Sequence, residues 1–445
     1  MGKYSKEDIL RIADEQNIRF IRLQFTDILG ALKSVEVSRS QFQLALDNES
    51  IFDGSKVEGF AKVEDSDMFL YPDYDSFTVF PWYSPMGEGK VARLICDVYN
   101  PDGTSFSGDP RYVLKKAIKR AAYFGFSFNV GAKCEFFLFQ NGDDNKPSTE
   151  TSDSGGYFDM GPVDKGEECR REICATLEDM GFNIESSHHA AAPAQHEIDI
   201  RYDDALRTAD NVITFKYVVK SIAQQHGFNA TFMPKPIIGQ NGSGMLTNMS
   251  LFKGMKNAFY DETDTNALSQ TAYKFIAGIM EHSKPMTLVL NPLVNSYRRL
   301  VPGYEAPVHL AWSAKNRSSL IRIPASRGMG TRIELRSPDA ACNPYLGFAV
   351  CLMAGLDGVE RGLTPPPATN TNVFNTGRRQ NDQEKIETLP GSIEEAIELY
   401  EKDEFVSTVL GDHIFKQFLY AKKRELNASR SSVSQWELDN YLLKY

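Results

Sequence analysis

At 445 residues, 42% hydrophobic and 24% charged, the chain has the make-up of a soluble globular protein and is too long for one simple core, so two or more domains are expected. A formal net charge of −10 and the lack of any Lys/Arg-rich stripe argue against a nucleic-acid partner. The longest apolar run, Pro344–Leu356, is too short to span a bilayer, no signal peptide is visible ahead of the first polar helix, and six scattered cysteines form no CxxC pair, so no membrane partner and a cytoplasmic location are expected.

In chain order, Ser5-Lys6-Glu7-Asp8 resembles a capping box, and Ile9, Leu10, Ile12 and Ala13 give a helical stripe behind it. Arg19–Asp27 alternates as a strand, Leu29-Gly30 turns it, Leu32–Val37 returns, and Arg93–Val98 is a further strand. The turn cluster Asn100–Gly103 suggests a boundary, giving a small α+β domain at 1–104 and a second domain at 105–445. Asp109-Pro110 opens a helix over Arg111–Tyr123, with Asp as N-cap and Pro in the first turn. Asn141–Gly156 reads as a mobile loop. Helices are expected near 166–180, 206–226, 265–282, 344–360, 393–400 and 411–426, with strands near 183–187, 195–201, 230–233, 308–312, 319–323 and 331–336. Without a strict βαβ rhythm, this pattern predicts an α+β fold with an antiparallel or mixed sheet backed by helices. Thr364–Leu389, rich in Pro, Asn and Thr, reads as a long loop.

The chemistry is organised around Gly131–Phe139, read as a strand on which Lys133 and Glu135 face one way and Cys134 and Phe136 the other. Gln195 and Glu197 share a face of a second strand, and Glu334 shares one with Arg332 and Arg336. Carboxylates converging from several strands repel unless a cation lies between them, and hard divalent ions suit such oxygen ligands. A simple ion pair of Glu334 with its flanking arginines accounts for that segment equally well. Arg298, Arg299, Arg317, Arg322, Arg327, Arg332 and Arg336 crowd into about forty residues with few lysines, which favours anion binding. Asn241–Gly244 is a small-residue loop where backbone could approach a ligand, and Tyr297–Pro307 suggests a flap ending at Glu305.

These stretches together closely resemble glutamine synthetase of the bacterial class I type. The matching segments are FDGS at 52–55, DSDM at 65–68, EFFLF at 135–139, SHH at 187–189, QHEID at 195–199, MPKP at 233–236, NGSGM at 241–245, VNSYRRLVPGYEAP at 294–307, NRSS at 316–319, RIP at 322–324 and TRIELRSPDAACNPYLGFA at 331–349. The resemblance runs to the C-terminal WELDNYLLKY. It implies an N-terminal β-grasp domain, a catalytic domain with a curved antiparallel sheet, and a homo-oligomer of two stacked hexameric rings whose active sites lie between subunits. The implied reaction joins glutamate and ammonia at the expense of ATP, through γ-glutamyl phosphate, with Mg²⁺ or Mn²⁺; nitrogen-regulatory proteins are possible partners.

By motif, the resemblance implies metal ligands at Glu135, Glu197 and Glu334, and a glutamate site at Asn241, Gly242, Arg299, Glu305, Arg317 and Arg336. It implies ATP contacts at Glu185, Asn248, Ser250, Arg322 and Arg332, and an ammonium-binding Asp53 supplied by the next subunit; Glu305, Arg317 and Arg336 would join Asp53 in catalysis. It also places the adenylylated tyrosine of one subclass within 364–389, a segment that holds no Tyr, which predicts the unadenylylated subclass. The departures fall on the chemistry: Lys133 and Ala190 stand where the family has glutamates, and Leu246 where it has a metal-binding histidine. FDGSS has become FDGSK at Lys56. The cavity is thereby three charge units more positive, so reduced metal occupancy and impaired turnover are expected, or else a catalytically silent protein with a regulatory or assembly role. Lys133 is expected to pair with Glu334 or with a phosphate.

Overall fold

The computed structural model describes residues 3–60, 66–82, 89–142, 146–369 and 386–445. The chain opens with helix α1 (Lys6–Glu15), capped by Ser5 and Asp8 in the capping box seen in the sequence. Strands β1 (Ile18–Thr26) and β2 (Leu32–Ser38), helix α2 (Phe42–Leu46), and strands β3 (Ser50–Asp53), β4 (Asp67–Val79) and β5 (Lys90–Tyr99) follow. They form a five-stranded sheet ordered β2-β1-β5-β4-β3, antiparallel except for the parallel β1–β5 pair.

Helix α3 (Pro110–Tyr123), capped by Asp109, leads to β6 (Ser127–Asn141), the longest strand. The chain continues through β7 (Pro147–Thr151), α4 (Glu167–Asp179), β8 (Ile184–His189), β9 (Gln195–Ile200), β10 (Asp203–Asp204), α5 (Ala205–Gln225), β11 (Phe228–Thr231), β12 (Met245–Lys253), β13 (Lys256–Asn257) and α6 (Gln270–Leu290). Then come α7 (Ser296–Arg299), β14 (Trp312–Ser313), β15 (Ile321–Arg322), β16 (Ile333–Leu335), α8 (Pro344–Arg361), α9 (Ile393–Glu401), α10 (Glu404–Leu410), α11 (Asp412–Arg430) and α12 (Gln435–Tyr441). The second sheet runs β14-β15-β16-β12-β6-β9-β8, with β7, β10 and β11 on β6 and β13 on β12. Its pairs are antiparallel apart from β14–β15. The α+β class and mixed sheet backed by helices are as expected. No helix among the described residues is long and apolar enough to cross a membrane, and all six cysteines are free.

Several expectations are corrected. The segment expected as a loop from Asn141 carries β7, which folds back on β6. The helix expected at 265–282 begins after its Ser269 cap and continues past Pro285 to Leu290, because Met286, Leu288, Val289 and Leu290 are buried. Strands β4 and β12 had no strand signal. Pro72 and the acidic residues of β4 obscure it, and in β12 both faces are buried, so polar Thr247, Asn248 and Ser250 do not alternate with exposed positions. The expected 308–312 strand shrinks to Trp312–Ser313. Most of the Pro- and Asn-rich segment at 364–389, residues 370–385, lies outside the described residues.

Helices α6 and α8 cross with backbone against backbone. A Cβ at Gly278 would stand 2.0 Å from the Ala354 carbonyl oxygen, and one at Gly358 2.1 Å from that of Lys274. Gly278→Ala should therefore destabilise the chain by about 1–3 kcal/mol by forcing the helices apart, despite the better helix propensity of alanine. Urea unfolding measures this; an unchanged or higher midpoint would show that the crossing tolerates a methyl group.

Candidate active site

The register of β6 with its two neighbours assembles the site. Glu135 lies opposite Glu197 and Lys133 opposite Asp199 across β6–β9, while Leu246 lies opposite Lys133 across β6–β12. Further along, Asn248 pairs with Glu334, and Glu334 with Arg322. The period of two on each strand then sets Lys133, Glu135, Glu197 and Asp199 on one face. The Gly244 amide donates to Glu135 Oε2 at 2.7 Å, and the Gln195 side chain ties the Gly242 carbonyl to β9 at 3.1 Å. Gly242 is required here, since a Cβ would meet the Pro234 carbonyl oxygen at 2.2 Å.

The expected partner of Lys133 is corrected. Its ammonium donates to Asp199 Oδ2 at 2.6 Å and lies 3.5 Å from Glu197. Glu334 is bound instead by Arg322 at 3.4 Å and Arg336 at 3.6 Å. Burial works against the Lys133 charge, and Asp199 outweighs it, so its pKa is raised. Asp199 was missed in the sequence although it continues the Gln195/Glu197 alternation; His188, 3.8 Å from Glu197 and with its pKa lowered chiefly by burial, was also missed. Burial pushes Glu135 up to about 7, with Glu305 adding to the shift. Burial also raises Glu197, reinforced by the carboxylates of Glu135 and Asp199. Two facing carboxylates that cannot both hold their charge suit one hard cation between them. A second ion site, which the resemblance would build from positions 133, 246 and 334, does not suit a cation: Leu246 offers no ligand atom and Lys133 brings a positive charge, while Ala190 offers none beside Glu135 and Glu197.

Beside the carboxylates lies an arginine-rich half. Arg299, Arg336, Gly242, Tyr304 and Glu305 line a cavity of ≈ 30 Å³ with Glu135 and Leu246. Arg299 is locked by the Ser337 and Arg336 carbonyls at 2.7 and 3.2 Å. Arg336 is buried, with Nε and Nη1 lacking a hydrogen-bond partner, and Arg322 Nε and Ser250 Oγ are likewise unsatisfied among the described residues. Arg332 donates to Asn248 at 3.1 Å. Asn241 is half-buried in the same loop as Gly242. Three expected residues are not brought to this cluster within the chain: Asp53 is exposed on β3 and binds Ser55, Glu185 is exposed on β8, and Arg317 is exposed in the turn before β15.

Asp153, Asp164, His189 and His196 form a separate buried group whose ligand atoms lie within 4.8 Å of one another. The Arg170 guanidinium already supplies its cation, 2.6 Å from Asp164 and 2.9 Å from His196 Nδ1, while His189 meets Asp153 at 3.2 Å. This network fastens α4 to β8 and β9, with His196 Nε2 left without a partner among the described residues.

The family model "Glutamine synthetase, catalytic domain" matches residues 107–441, and "Glutamine synthetase, beta-Grasp domain" matches residues 17–101. A glutamine synthetase of Clostridium saccharobutylicum is 55% identical over 445 residues, covering 100% of both chains. One of Thermus thermophilus is 55% identical over 444 residues, covering 99% of this chain and all of its own. Among solved structures, a GmaS/ADP complex superposes with a TM-score of 0.89 at 33% identity, covering 98% of this chain and 99% of that one. Plasmodium falciparum glutamine synthetase gives 0.87 at 25% identity, with 99% of each chain covered.

A Glu135 that keeps its proton to about pH 7 when folded, but ionises near 4.5 when unfolded, binds more protons in the native state between those values. In EDTA, stability should therefore fall as pH rises from 5 to 7, by up to about 3 kcal/mol from this group. Glu135→Gln should flatten that decline. Urea midpoints of the two proteins at pH 5, 6 and 7 test it; parallel declines would remove Glu135 as the cause.

Proposed function

The chain belongs to the glutamine synthetase family, and from this we propose that it is an ATP-dependent ligase of that type, forming glutamine from glutamate and ammonia through γ-glutamyl phosphate, with turnover impaired at its metal sites. The observation that carries the impairment is Lys133 bonded to Asp199 and beside Glu197, at a position where the family resemblance places a metal-binding glutamate. The orphan donors of Arg336, Arg322 and Ser250 support an anionic substrate and a phosphate beside it. The ADP held by the similar GmaS structure agrees with nucleotide binding.

In this reading residues 1–104 are the β-grasp domain and 105–445 the catalytic domain. Arg299, Arg336, Arg317, Asn241 and Gly242 hold glutamate, and Glu305 closes over it and helps to deprotonate ammonium. Glu185, Asn248, Ser250, Arg322 and Arg332 hold ATP, and Asp53 of a neighbouring subunit binds ammonium. Glu135 and Glu197 would hold a single Mg²⁺ or Mn²⁺, which when bound offsets charge on the transferred phosphoryl group. Lys133 can neutralise a phosphate oxygen as a point charge but supplies none of the Lewis acidity that a metal would. A cytoplasmic homododecamer fits the family. The second reading, a catalytically silent regulatory or assembly partner, is favoured by a scaffold that remains intact around altered ligand positions.

Glutamine formation in a coupled ATP- and ammonium-dependent assay should fall several orders of magnitude below that of ordinary relatives. Lys133→Glu alone should recover little, because Leu246 still cannot ligate; Lys133→Glu, Ala190→Glu and Leu246→His together should restore activity. Full activity of the unaltered chain would refute the impairment, and a triple variant that stays inert would favour the silent reading. Nucleotide-free protein should bind at most one Mn²⁺ per chain by equilibrium dialysis, and weakly; two tight ions would contradict the lost second site.

A further inference from the structure

Away from the carboxylate site, a cavity of ≈ 230 Å³ lies between the first sheet and helix α5. Arg93 of β5 lines it, opposite Arg22 of β1 on one side and Thr78 of β4 on the other. Arg93 is 4% exposed, and its Nε and Nη1 have no hydrogen-bond partner among the described residues. Every carboxylate on the cavity wall is engaged elsewhere. Arg111 binds Asp73 at 2.6 Å and Asp210 at 2.9 Å, Asp75 accepts from the Lys3 amide at 2.5 Å, and Asp204 caps α5 through the Arg207 amide at 3.0 Å. The neighbouring Arg22 is also committed, to Glu36 and the Tyr217 hydroxyl. A buried guanidinium left without an acceptor is costly, and such groups are normally satisfied by something.

We propose that this cavity binds a small aliphatic monocarboxylate, its carboxylate on the Arg93 guanidinium and its short tail against Ile95, Met180, Phe182 and Leu206, the apolar side chains of a wall that is otherwise largely polar. The planar carboxylate matches the guanidinium fork. A phosphate dianion suits the site less well than a monoanion, because four aspartates line the cavity and repel each added negative charge. The ligand would bridge the first sheet to α5, so binding reports as added stability of the whole chain. The cavity shares no residue with the Glu135–Glu197 cluster, and the proposal stands whether or not the chain makes glutamine.

The test uses the full chain without ATP, glutamate or divalent ions. Butyrate is titrated by calorimetry and by thermal shift against sodium chloride and sodium phosphate at equal ionic strength. Butyrate should give saturable binding and raise Tm by about 2 °C near tenfold saturation, while phosphate gives no more than chloride. Arg93→Met, which removes an unpaired buried charge, should be at least as thermostable without ligand and should lose the butyrate response at least tenfold. If that variant does not fold, crystals of the natural chain with 4-bromobutyrate decide: bromine signal in this cavity with the carboxylate on Arg93 supports the site. No saturable response in solution, an equal response to phosphate, an undiminished response in Arg93→Met, or bromine only elsewhere overturns it.

Discussion

The register of β6 against β9 and β12 is the constraint on which the site depends. It sets Glu135 opposite Glu197 and Lys133 between Asp199 and Leu246. A slip of one residue would turn the whole charged row into the core and bring Cys134 and Phe136, both buried, to the cavity. The register is held from both faces. On the core side, Phe136 and Val130 are fully buried, and on the site side the Gly244 amide fixes Glu135. Small residues at 242 and 244 bring the backbone of their loop close to Glu135 and Arg299.

The parts of this arrangement that were legible in the sequence are those with local causes. The alternation of Lys133 and Glu135, the glycine-rich loop at 241–244 and the capped starts of α1 and α3 each follow from neighbouring residues. The partner of Lys133 was not legible, because it depends on which strand sits beside β6 and at what register. Glu334 was expected there from the resemblance, which groups it with position 133; in the fold, Arg322 of β15 and Arg336, just past the end of β16, absorb it, leaving Asp199 to Lys133. Strand β12 was invisible for a related reason. A central strand buried on both faces carries no amphipathic period, and its polar residues serve the site on one face.

The arginines expose a further limit of the linear reading. Seven crowd the segment from 298 to 336, but only some reach the cavity: Arg298 and Arg317 are exposed, and Arg327 donates to backbone carbonyls of Asn266 and Ser326. Density of a residue type marks a neighbourhood; strand pairing and turns decide which members converge.

The carboxylate and arginine halves of the site rest on different supports, and this bears on what Lys133, Ala190 and Leu246 can do. Arg299 is positioned by the Ser337 and Arg336 carbonyls and Arg332 by Asn248 and the Gly330 carbonyl, so neither takes its geometry from the altered positions. The carboxylate half depends on charge balance instead. There, Lys133 neutralises Asp199 through a fixed covalent tether, whereas a metal ion would add its charge only when bound and could coordinate oxygens from more than one group. Glu135 and Glu197 remain short of a counter-charge, while Arg336 remains short of an acceptor. Lys133, Ala190 and Leu246 therefore bear on the electrostatics of the carboxylate half without touching the supports that position Arg299 and Arg332 in the other.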